Sequence, residues 1–192
     1  MRLPFLPAFL AALALPFAPA LAQAPEFAVE QTAAADPWPF AASDLPVDPQ
    51  WRVGVLANGM RYLIRPNATP PEQGMVQLWV DFGSAAEEAH QQGWAHFIEH
   101  MAFNGSTNVP EGEMIRLLER NGLAFGADTN AATGFETTTY MLDLPRADPR
   151  LLDVALMLMR ETASELTIAP EAVARERGVI LAEMRDRNTW QM

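Results

Sequence analysis

His96-Phe97-Ile98-Glu99-His100 reads H-x-x-E-H, and two of the chain's three histidines lie in it. On an α-helix each residue advances about 100°, so His96 and His100 fall about 40° apart on one face and about 6 Å apart along the axis. Two imidazole nitrogens at that spacing can grip one Zn²⁺. Glu99 lies about 60° from His96 on the other side, within reach of a water on the same metal. A single histidine on a half-apolar helix is ordinarily a packed or solvated residue. A pair at i, i+4 with a glutamate between them, in a chain so poor in histidine, points to metal ligation instead. Trp94, Phe97, Ile98, Met101 and Phe103 add apolar side chains around the pentapeptide, so a dry shell around the metal is expected. The stretch predicts a helix carrying the outline of a zinc peptidase site.

The flanking sequence predicts what holds that helix. Val53 and Val55 alternate with other residues, Asn58-Gly59 is a hairpin turn signal, and Met60, Tyr62 and Ile64 alternate on the return. Met75 to Phe82 reads as a third strand. The pentapeptide helix is expected over Glu87 to Phe103, stopped by Asn104-Gly105. A second helix is expected over Glu111 to Arg120, then strands over Ala127 to Thr133 and Glu136 to Leu144 around Gly134. Asp148-Pro149 supplies a cap and a first-turn proline for a helix reaching about Leu166, with Leu151, Leu152, Ala155, Leu158 and Met159 on a broad apolar face. A last helix starts at Pro170 and still runs at Arg187. The order β-β-β-α-α-β-β-α-α predicts an α+β fold, a mostly antiparallel sheet with helices packed on one face.

Residues 1–22 stand apart. Arg2, an apolar run from Leu3 to Phe17 and Ala20-Leu21-Ala22 have the form of a secretory signal peptide cleaved after Ala22. The run is too short and too interrupted by Pro4, Pro7 and Pro16 to anchor the chain in a membrane. Export to the periplasm or medium is therefore expected. Residues 23–48 are rich in proline and alanine and read as a linker, with folded structure over 49–192. The chain has no cysteine, which excludes disulfides, a lipoprotein anchor and thiolate-bound metal. Thirteen arginines, no lysine and 24 acids give −11, and −12 once Arg2 is removed. Such a balance argues against nucleic acid and anionic membranes as partners.

Two histidines leave a catalytic zinc one protein ligand short. His90 precedes His96 by six residues and falls on roughly the opposite helix face, about −120° away. A carboxylate must complete the site. Glu176 and Glu183, seven apart and hence about 20° apart on one helical stripe, are the candidates, unless they merely belong to a solvated face.

Together these blocks resemble the pitrilysin/insulysin (M16, inverzincin) family of zinc peptidases, which also includes the mitochondrial processing peptidases. The likeness rests on His96-Phe-Ile-Glu-His-Met-Ala-Phe-Asn-Gly-Ser, then Asn130-Ala131 with Thr133, Glu136, Thr138 and Tyr140, then Glu176-Arg-Gly-Val-Ile-Leu-Ala-Glu183. The Asn58-Gly59-Met-Arg-Tyr hairpin matches as well, so that residues 50 to 187 are covered. The resemblance implies one Zn²⁺ per chain on His96, His100 and Glu183, with Glu99 as the catalytic base. Glu176 becomes the supporting carboxylate or alternative ligand. Asn130 and Ala131 would lie on an edge strand to which a peptide substrate adds as a further strand. It also implies that 49–192 is an N-terminal metallopeptidase domain truncated at its C-terminal end, an incomplete half whose chamber a second homologous half or subunit completes. The expected activity is a zinc endopeptidase acting on peptides or unfolded segments. The alternative is a non-catalytic or truncated member that binds peptide or a partner subunit.

Overall fold

Alternation on a half-buried strand and 3.6-residue periodicity on a helix dictate most of the architecture. The computed structural model describes Trp38, Phe40 and residues 44–189; the expected signal peptide and most of the expected linker lie outside the described residues. The chain divides into two compact units, 1–66 and 67–192.

In the first unit β1 (Arg52–Val55) and β2 (Arg61–Ile64) form an antiparallel hairpin, with Val53 opposite Leu63 and Gly54 opposite Tyr62. The turn signal at Asn58-Gly59 is obeyed. Gly59 takes φ +87°, and Asn58 Oδ1 accepts the Met60 N–H at 3.1 Å, so Met60 belongs to the turn and not to the strand. Asp48 holds Arg65 at 3.0 Å, and the Arg65 guanidinium lies over the Trp51 ring.

The second unit contains β3 (Gly74–Val80), α1 (Trp94–Met101), α2 (Glu113–Arg120), β4 (Thr129–Thr133), β5 (Thr138–Leu144), α3 (Pro149–Ser164) and α4 (Pro170–Thr189). Its sheet is antiparallel, in the order β3-β5-β4. Thr138, Tyr140, Leu142 and Leu144 alternate on the covered face of β5 and are all buried. Residues beside them in register, Val76 and Leu78 of β3 and Ala131 of β4, share that face. Helix α1 packs on it over β4 and β5, and α3 over β3 and β5. Met75 and Trp79 project from the other face and are exposed. The architecture is α+β with helices on one face of the sheet, in the element order expected.

Local chemistry sets the start of α3 as the sequence suggests: Asp148 accepts the Arg150 N–H at 2.9 Å and Pro149 fills the first turn. Leu151, Ala155, Leu158 and Met159 are buried, but Leu152 is 42% exposed, so the apolar face is narrower than expected. One stripe at i, i+4, i+7, i+8 meets the sheet, and Leu152 turns 100° away from it.

Glu161 also lies on the buried side of α3, only 3% exposed. Its carboxylate accepts from Ser106 Oγ at 2.7 Å, from Asn108 N at 3.0 Å and Nδ2 at 2.9 Å, and from Arg160 at 3.0 Å. Those bonds clamp the loop that follows α1, which also pairs with the end of α3 through Thr107 N–H to Glu165 O. The Asn108 side-chain bond is the chief reason that the Glu161 carboxyl lies below its ordinary pKa of 4.5, with Ser106 and Arg160 adding to it against the desolvation. A depressed folded pKa contributes stability above the unfolded value, which is lost as pH falls through the folded one. Glu161→Gln is therefore expected to destabilise the fold by about 2–3 kcal/mol at neutral pH, because its amide turns a donor toward donors. Urea denaturation at pH 7 and below pH 4 checks this. The gap between parent and variant should narrow in acid.

Candidate metal centre

Helix α1 starts later than expected, at Trp94. The Glu87 side chain folds back and accepts the N–H groups of Gly93 and Ala95, each at 2.7 Å. A carboxylate at the positive end of a helix satisfies donors that have no partner within the helix. Glu87 is thus the cap of α1 and not its first residue, while Gly93 makes the entry turn at φ +91°. At the other end Asn104 Nδ2 donates to His100 O at 2.9 Å.

The short helix brings His96 and His100 together as their spacing requires. Their ring planes stand at 88°, and their Nε2 atoms are 3.2 Å apart. Helix α4 packs against α1 and adds both glutamates, with Ile180 buried on the stretch between them. Glu176 Oε2 lies 3.0 Å from His100 Nδ1. Glu183 instead approaches the Nε2 atoms, at 3.6 Å from His96 and 3.8 Å from His100. One ligand atom from each of His96, His100 and Glu183 lies within 4.8 Å of the others.

Those separations fit a metal. Tetrahedral ligands on bonds of about 2.0–2.2 Å stand about 3.3–3.6 Å from one another. The electronic argument agrees with the spacing. A carboxylate can only accept, so Glu176 fixes the His100 proton on Nδ1 and leaves the Nε2 lone pair directed at His96. That nitrogen, His96 Nε2 and the Glu183 carboxylate together form a donor set of the kind that holds a cation.

Glu99 stays outside this cluster. Its Oε2 accepts a hydrogen bond from Thr133 Oγ1 at the end of β4. Tyr140, on the neighbouring strand, has its phenol pushed up to about 12, mainly by burial and further by the Glu99 charge. The phenol is therefore neutral across the physiological range.

Asn130 and Ala131 lie on β4, which pairs with β5 on one side and is an edge strand among the described residues. The Gly134 N–H bonds Thr137 O and the Asp143 N–H bonds Asp128 O, which fixes the alternation of the ladder. Thr129, Ala131 and Thr133 consequently direct their backbone groups away from β5. The Ala131 N–H meets its neighbour's Asn130 Oδ1 at 2.9 Å.

Trp94 and Ile98 are 61% and 37% exposed, so only Phe97, Met101 and Phe103 of the expected apolar shell are covered. Trp94 and Ile98 are i, i+4 and share one stripe of α1 that is open to solvent. Elsewhere on α4, Arg175 pairs with Glu111. His90 lies ahead of α1, so its expected helical phase does not apply; it is exposed beside Glu88 and not part of the cluster. Thr133 and Glu87 carry interactions that the sequence reading did not assign. Period-two spacing from Ala131 was the available signal for the former, and an acid shortly before a glycine for the latter.

Comparison with known proteins places the chain in a family. Residues 62–191 match the profile of the family described as insulinase, peptidase family M16. A Haemophilus influenzae protein described as "Probable zinc protease PqqL" is 40% identical over 145 residues, which are 76% of this chain and 16% of that protein. The β subunit of the Bos taurus mitochondrial-processing peptidase is 35% identical over 150 residues, 73% of this chain and 27% of its own length. Among solved structures, the first half of the Escherichia coli periplasmic protease PqqL superposes with a TM-score of 0.71 at 39% identity, covering 74% of this chain and 30% of that one. The chain spans about one sixth of the length of the PqqL relatives that it matches. Among the described residues no helix is long and apolar enough to cross a membrane. By sequence match and by structure, this chain belongs to the insulinase family of peptidases, family M16.

Proposed function

We propose that this chain is the metal-bearing part of a zinc endopeptidase, with His96, His100 and Glu183 as ligands of one Zn²⁺ and Glu99 as the proton acceptor. The observation that carries the reading is the convergence of two imidazole Nε2 atoms and the Glu183 carboxylate, with Glu99 beside them but tied to Thr133. When bound, zinc supplies the Lewis acidity that lets water attack a carbonyl at neutral pH. Glu176 orients His100. Glu99 takes the proton of the attacking water and returns it to the amine nitrogen as the C–N bond breaks. Asn130 and Ala131 belong to the edge that receives the substrate, since strand addition reads an extended backbone more than its side chains. Peptides and unfolded segments are the substrates that follow. A second homologous half or subunit would complete the chamber, and export to the periplasm would place the enzyme beside such substrates.

The test is cleavage by the zinc-loaded chain of one peptide in two forms, unstructured and stapled as a helix. Cleavage of the unstructured form alone is expected, with a loss of at least about a hundredfold on chelation. Cleavage that survives metal removal would contradict the reading. The alternative reading is a family member that binds peptide or a partner subunit without turnover. One zinc per chain with peptide binding and no cleavage would select that reading.

A further inference from the structure

Thr133 occupies the last position of β4 and faces two ways. Its Oγ1 donates to Glu99 on α1, 34 residues earlier in the chain. Its backbone N–H and C=O point to the open edge of the sheet, two residues on from those of Ala131.

A glutamate has three rotatable side-chain bonds, and without a tether it spreads over several staggered rotamers. A proton acceptor has to stand within about 0.5 Å of its productive position. Among the described residues, Thr133 Oγ1 is the hydrogen-bond donor that the Glu99 carboxylate meets. The bond occupies Oε2 and leaves Oε1 to take a proton. Tyr140 lines the same space from β5 as a neutral, buried phenol and supplies no opposing charge.

Resting on the reading of Glu99 as the proton acceptor, we propose that Thr133 is a positioning residue that joins the base to the substrate edge. Its hydroxyl fixes the Glu99 carboxylate while its backbone takes part in pairing with an extended peptide. One residue then sets both the register of the bound peptide and the place of the base. A bound strand that holds Thr133 in place also holds Glu99.

The test uses the full zinc-loaded chain and three variants. Thr133→Val keeps the branched shape that suits a strand and removes the donor. Thr133→Ala is a second donor-free variant, and Thr133→Ser retains the hydroxyl. Carbon-13 NMR of the glutamate carboxylates, with the Glu99 resonance assigned from Glu99→Gln, reads the tether whether or not the chain turns over. The Glu99 resonance should shift and broaden in the valine and alanine variants and return in the serine variant. Zinc affinity and KM should stay within about twofold of the parent while kcat falls about tenfold or more without the hydroxyl. A Glu99 resonance unchanged in Thr133→Val would overturn the proposal. So would a loss of kcat that serine does not restore. Failure of the underlying reading looks different: Glu99→Gln would then cleave as well as the parent, whatever the Thr133 variants do.

Discussion

Glu99→Gln is expected to bind zinc as the parent does and to cleave peptide about 10²–10⁴-fold more slowly. The substitution preserves shape and keeps an oxygen that can accept from Thr133 Oγ1, so the tether to β4 survives. What it removes is the capacity to take a proton. A loss of that size corresponds to about 3–5 kcal/mol of barrier, appropriate for a base acting in the transition state and too large for a disturbed contact. Zinc content and single-turnover cleavage, measured on the same preparations, separate the two effects. Loss of zinc along with activity would place Glu99 among the ligands instead.

The next largest effect concerns the two glutamates of α4. Glu183→Ala is expected to weaken zinc binding about a thousandfold, whereas Glu176→Ala should weaken it only about tenfold. The difference follows from which ring nitrogen each meets. Glu183 lies beside both Nε2 atoms, on the side where the donors converge. Glu176 lies on Nδ1 of His100, on the far side of that ring, and can act on the metal only through the imidazole. Glu176 is also the more buried, its side chain 16% exposed against 38% for Glu183, as suits a group that orients and not one that meets substrate. Competition with a chelator of known affinity measures both constants. Equal losses would remove the distinction.

The parts of this fold that were legible in the sequence are those decided within one turn or one strand. The i, i+4 spacing of His96 and His100 needed only a helix, and their Nε2 atoms indeed meet. Asn58-Gly59 fixed its turn through one side chain, and Asp148-Pro149 fixed the start of α3. Other features depend on tertiary partners. The helix expected from Glu87 begins seven residues later, because the Glu87 carboxylate caps it from outside, a gain that local propensity does not register. Trp94 and Ile98 were expected to shield the metal, yet helical phase alone does not say which stripe meets a sheet. The Glu161 clamp on the loop after α1 joins residues more than fifty apart, and Thr133 reaches Glu99 across two elements. Period-two spacing puts Thr133 on the face of Ala131, but the partner it meets there is set by the packing of α1 on β4. Within the candidate site, the histidine pair was legible from spacing and the α4 glutamates from their common stripe. Their approach to the histidines required the packing of α4 on α1.

Anomalous diffraction at the zinc edge from crystals of the zinc-loaded chain tests the central claim most directly. The expected result is a single peak within about 2.0–2.2 Å of His96 Nε2, His100 Nε2 and a Glu183 oxygen, with Glu99 farther away and still on Thr133. A peak ligated by Glu176 in place of Glu183, or no peak at all in well-ordered protein, would contradict it.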